Sequence, residues 1–97
     1  MITYVSYKII IDKKAQKFLD GLSASYREKI VLKIKALTSV DLNSLNIKRL
    51  QGYKNLYRLK VDNYRVVFAI TTDKRLIIVS VIGHRKEIYD IIKRMNF

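Results

Sequence analysis

Residues 56–70, LYRLKVDNYRVVFAI, decide how the chain folds. Strand side chains alternate between two faces. Before the Asp62-Asn63 pair, Tyr57, Leu59 and Val61 form one set, and Leu56, Arg58 and Lys60 the other. After it, Tyr64, Val66, Phe68 and Ile70 form the apolar set, with Arg65, Val67 and Ala69 facing away. Asp-Asn between two such runs is a two-residue hairpin signal. A hairpin closed there pairs Val61 with Tyr64, Lys60 with Arg65 and Arg58 with Val67. Directly opposed residues share a face, and like charges placed so repel. The pairing therefore predicts an exposed basic patch of Arg58, Lys60 and Arg65, an arrangement suited to an anion. The alternative is a basic face that is merely solvated.

Outward from the hairpin, residues 75–82 read as a further strand after a turn at 72–74, and residues 48–50 as a short edge piece. Near the N-terminus, Ile2, Thr3, Tyr4, Val5, Tyr7, Ile9 and Ile10 predict a strand over 2–10. Asp12 is a helix N-cap, followed by Ala15, Phe18, Leu19 and Leu22 at helical spacing, with Gly21 as the stop. Ser25-Tyr26-Arg27-Glu28 fits a capping box for a second helix, and Ser23 is an equally credible cap. Tyr26, Ile30, Ile34 and Leu37 give that helix one apolar stripe. Residues 39–47 form a polar loop anchored by Leu42, Leu45 and Ile47. Ile88, Ile91, Ile92 and Met95 predict a C-terminal helix over 86–95. The order βααβββα is an α+β fold: an antiparallel sheet with a helical hairpin on one face, the other face left open, and a short terminal helix. The 97 residues are expected to form one domain, 1–97.

The composition narrows the function. Twenty Lys and Arg against eight Asp and Glu give a net charge of +12. Residues 1–47 carry 8 basic and 4 acidic groups, while residues 48–97 carry 12 and 4, so the functional surface is expected in the second half. Such a charge favours a polyanionic partner, nucleic acid above all. The absence of Cys and the single His argue against disulfides and a structural zinc site. No metal or cofactor is expected. No signal peptide or membrane-length apolar run is read from the sequence, and a cytoplasmic location is the default.

After the last strand come His84, Arg85 and Lys86, with Tyr89 one turn along. As the lone histidine, His84 is a candidate for proton exchange at physiological pH. Arg85 could clamp a phosphate. Tyr89 could stack on a base or cap the core beside Ile88. The pieces LxG…LYRLKV, YRVVF and GHRKEIY, in this order, make the chain resemble the RelE/ParE toxin superfamily over nearly its whole length. RelE-like members are ribosome-dependent mRNA endonucleases, and ParE-like members poison DNA gyrase.

The resemblance implies roles for individual residues. Arg58 and Lys60 match the basic strand positions, Arg65 the arginine of the central hairpin, Arg85 that of the terminal strand and Tyr89 the tyrosine of the last helix. His84 matches a position that varies between His and basic residues. The set favours the RelE-like activity: attack of a ribose 2′-OH on the neighbouring phosphate, without a metal. Lys60 or His84 is then the base, Arg65 and Arg85 stabilise the phosphoryl charge, and His84 is preferred to Arg58 near the leaving group. Tyr89 orients the substrate, and Arg58, Lys54 and Lys86 bind it. The implied partners are mRNA with the ribosome and an acidic, RelB-like antitoxin in a hetero-oligomer. The alternatives are a ParE-like gyrase inhibitor without nuclease activity and a nucleic-acid binder without catalysis.

Overall fold

The computed structural model describes residues 7–38 and 45–95; residues 2–6 of the expected first strand, and Leu42, lie outside them. The described chain runs β1 (Lys8–Ile11), α1 (Lys13–Asp20), α2 (Ala24–Lys35), a 3-10 turn (Ala36–Thr38), β2 (Ile47–Arg49), β3 (Leu56–Val61), β4 (Tyr64–Thr71), β5 (Leu76–His84) and α3 (Ile88–Met95).

The central hairpin forms as its alternation dictates. Val61 pairs with Tyr64, Lys60 with Arg65 and Arg58 with Val67. Asp62, first of the two turn residues, has φ 53°, a left-handed value that Asp and Asn tolerate better than most side chains. The five strands lie in the order β1-β5-β4-β3-β2. All pairings are antiparallel except that of β1 with β5, which is parallel. The sheet is thus mixed, not purely antiparallel as expected, and β5 sits between the first strand and the hairpin.

The α1–α2 hairpin covers one face. Asp12 caps α1, its carboxylate accepting from the Lys14 N–H at 3.4 Å. Gly21 ends the helix with an ordinary right-handed φ of −82°, so glycine's freedom is not used there. Of the two candidate caps of α2, the structure uses Ser23, without a side-chain cap bond, and not the box from Ser25 to Glu28. Ala15, Leu19, Ile30, Ile34 and Leu37 pack against Leu59, Val66, Phe68, Ile77 and Val79 in the main core. Each large side chain buried this fully contributes about 1.5–3 kcal/mol.

The opposite face is only half open. Ile88 and Ile92 of α3 cover Leu50, Leu56, Val67 and Val81, making a second, smaller core. The expectation of a free face missed it because Leu56 and Val67 alternate with arginines in the same strands. The helix also starts at Ile88, two residues after the expected position. β5 runs on to His84 and carries an irregularity. Val67 pairs with Val81 but Phe68 with Val79, leaving Ser80 as an extra residue. Such a bulge reverses the alternation beyond it. Hence Val79 and Ile82 both reach the main core, while Val81 points to the second.

Candidate nucleic-acid interface

The half of that second face beyond α3 is basic. Lys60 and Arg65 stand opposite each other across β3 and β4, with Arg58 on the same face one pair further along. Gly83 of β5 pairs with Arg65, and its missing side chain lets Ile88 and Ile91 of α3 come close over the sheet. Arg85 follows, its backbone N–H donating to the Asn63 carbonyl at 2.7 Å. The Arg65 guanidinium donates from Nη1 to the carbonyls of Asp62 and Tyr64, at 2.9 and 3.0 Å. One tight turn therefore holds the Arg65 guanidinium and the Arg85 backbone. The turn is tied in its own right to α2, through an ion pair between the Asp62 carboxylate and Lys29. The Lys29 pKa is raised by its hydrogen bond to Asp62 first and by the carboxylate charge second.

Arg65 is half-buried, and its pKa is held below the usual arginine value. Burial is the largest cause, followed by repulsion from Arg58. Tyr89 acts in the opposite direction, and Arg85 adds further repulsion. These side chains lie within electrostatic reach of one another, and a guanidinium in such a place is still a cation at neutral pH. Nη1 of Arg58 is buried and has no hydrogen-bond partner among the described residues. A buried donor without a partner is costly, more so when charged.

The structure thus brings Arg58, Lys60, Arg65, Arg85 and Tyr89 to one side of the sheet. Tyr89, in the first turn of α3, is 52% exposed. His84 is not with them. The Ser80 bulge turns it to the helical-hairpin face, where it pairs with Tyr64 and their ring centroids are 6.0 Å apart, edge to face. Tyr64 in turn meets Phe18 and Tyr26 at 6.0 and 5.6 Å. His84 Nδ1 accepts from the Lys86 backbone N–H at 3.3 Å. Lys86 is exposed in the turn before α3. Lys54 is exposed in the turn that precedes β3, at the opposite end of that strand from Lys60.

Sequence reasoning passed over Lys48. It lies opposite Arg58 across β2 and β3. Pairing the expected edge piece with β3 would have revealed it.

Residues 9–89 match the family model described as ParE toxin of the type II toxin–antitoxin system parDE. The chain is 37% identical over 86 residues to Toxin RelE3 of Methanocaldococcus jannaschii, covering 86% of this chain and 96% of that one. Its fold resembles the RelB-RelE antitoxin-toxin complex from Methanococcus jannaschii, with TM-score 0.68, 36% identity and coverage of 84% of this chain and 96% of that one. It also resembles the archaeal RelE-RelB complex from Pyrococcus horikoshii OT3, with TM-score 0.71, 21% identity and coverage of 84% and 97%. A basic α+β domain of this architecture, matched over this much of its length, belongs to the RelE/ParE superfamily of type II toxin–antitoxin toxins.

Proposed function

We propose that this toxin is a ribosome-dependent mRNA endoribonuclease that cuts by 2′-OH attack on the adjacent phosphate and so stops translation. The observation that carries the reading is the meeting of Arg58, Arg65 and Arg85 beside Tyr89 on one side of the sheet. Guanidinium groups gathered in this way repel one another until an anion arrives. A phosphate relieves the repulsion, and a phosphoryl group gaining charge in the transition state relieves it more.

Arg65 and Arg85 take the phosphoryl oxygens. Lys60, opposite Arg65, is the base that accepts the 2′-OH proton. The 2′ oxygen bonds to phosphorus as the bond to the 5′ oxygen breaks. The products are a 2′,3′-cyclic phosphate and a 5′-OH, whose proton comes from solvent. Tyr89 stacks on the exposed base. Arg58, Lys54 and Lys86 bind flanking phosphates. His84, braced against Tyr64 on the other face, has no part in this scheme. Lys60 and Tyr89 are exposed, so the RNA must be held by something more than the toxin, which supports dependence on the ribosome. The relatives solved as RelB-RelE complexes, and the net charge of +12 here, support a RelB-like acidic antitoxin bound as a hetero-oligomer. Such a toxin acts in the cytoplasm. Among the described residues, no helix is long and apolar enough to cross a membrane.

Arg65→Ala and Arg85→Ala should each lower mRNA cleavage in a translating extract by about 100-fold or more, with the fold intact by circular dichroism. Full activity in both variants rejects the site. The ParE family match favours gyrase as the second target. Mapping mRNA 5′ ends in growth-arrested cells separates the two, since gyrase poisoning leaves mRNA whole and traps gyrase–DNA complexes. A binder without catalysis produces neither.

A further inference from the structure

A groove of about 610 Å³ lies between β2, the turn before β3 and α3, beside the arginine hollow. That volume falls within the roughly 300–1,000 Å³ of small-ligand sites. Lys48, Arg49, Arg58 and Lys93 supply its charge, and Tyr53 and Tyr89 its aromatic surface; no carboxylate lines it. Arg58 and Tyr89 belong to both the groove and the hollow, so the two are continuous. The buried Nη1 of Arg58 has no partner among the described residues.

We infer that this groove is a second nucleotide subsite, which takes a nucleotide one step beyond the pair joined by the cleaved link, its phosphate between Lys48 and Lys93 and its base against Tyr53. The inference rests on the nuclease reading for the identity of the strand. Lys48 comes from β2 and Lys93 from the last turn of α3, so two separate elements offer charge to one position. Single-stranded RNA is held by this combination of a cationic track and flat aromatic groups. An acidic peptide would also meet the charge, but it has no use for two tyrosines or for continuity with the hollow.

The test is equilibrium binding of 2′-O-methyl RNA, which cannot be cleaved, to the full chain. A dinucleotide reaches the hollow alone, and a tetranucleotide also reaches the groove. The tetranucleotide should bind at least about fivefold more tightly, since each stacked base is worth about 1–3 kcal/mol. In the Lys48→Ala/Lys93→Ala variant that advantage should fall below about twofold. The salt slope should flatten by about 0.7 for each lost phosphate contact. Lys48→Arg/Lys93→Arg should restore both. An unchanged tetranucleotide advantage in the alanine variant overturns the subsite. So does a variant that loses an acidic peptide but keeps the RNA. Because the probe is never cut, the readout is independent of catalysis. Whole mRNA in arrested cells sinks the nuclease reading and leaves the binding result standing, whereas cut mRNA with no length effect sinks the subsite alone.

Discussion

Gly83 is small for a reason that its backbone angles do not show. A Cβ placed on it would lie 3.2 Å from Cδ1 of both Ile88 and Ile91. Ile88 is buried, so it has little room to yield. Gly83→Ala should push the start of α3 off the sheet and cost about 1 kcal/mol, within the lower range of overpacking. The melting temperature should then fall by about 4–8 °C. Tyr89, one residue after Ile88, would move with it, and cleavage should drop alongside stability. An unchanged melting temperature would mean that α3 is not held so closely. At this scale the sequence was legible where geometry was local. A two-residue turn leaves one way to pair Lys60 with Arg65. The side occupied by His84 was not legible, because one extra residue at Ser80 decides it and a serine in a β-rich run carries no mark of a bulge.

Elements differ in how clearly they announce themselves. In the helical hairpin, spacing identified Ala15, Leu19, Ile30, Ile34 and Leu37 as inward, since a surface helix buries one stripe, but it also put Tyr26 on that stripe, where the structure leaves it 46% exposed. Leu19 and Ile34 are buried, whereas Leu32 on the same hairpin is 67% exposed. Leu19→Ala and Ile34→Ala should each cost about 2–5 kcal/mol by chemical denaturation. Leu32→Ala should stay within about 0.5 kcal/mol. Equal losses at all three positions would contradict the packing described. The second core under α3 was harder to read. Leu56 and Val67 looked like the polar side of their strands, because Arg58 and Arg65 share that face. The apolar and cationic halves of one face become distinct only once α3 lies over the first. The same division builds the groove, since α3 contributes Ile92 to the core and Lys93 to the rim.

For the molecule as a whole, charge sets two opposing responses to salt. At +12, self-repulsion opposes the folded state. Raising salt from about 0.05 to 0.5 M should screen that repulsion and raise the melting temperature. The same change should weaken RNA binding steeply, by about 0.7 log units per log unit of salt for each phosphate neutralised on a single strand. Scanning calorimetry and RNA titration across one salt series measure both. A melting temperature that falls with salt would show that attractive pairs, not the unpaired cations, dominate the surface. The α+β class was readable from element order. The parallel partner of β1 was not, because alternation says which way a side chain faces but not which strand lies beside it.

That partnership governs when a newly made chain can become dangerous. β1 has no place in the sheet until β5 is present, and β5 begins at Leu76. A nascent polypeptide halted before that point has its first helices and the β3–β4 hairpin but not the strand that joins β1 to them, and it lacks Arg85 and Tyr89 as well. Late closure of this kind joins distant parts of the chain and is slow. Interrupted synthesis therefore yields fragments without the assembled cationic hollow, and harm to the host waits on a finished polypeptide.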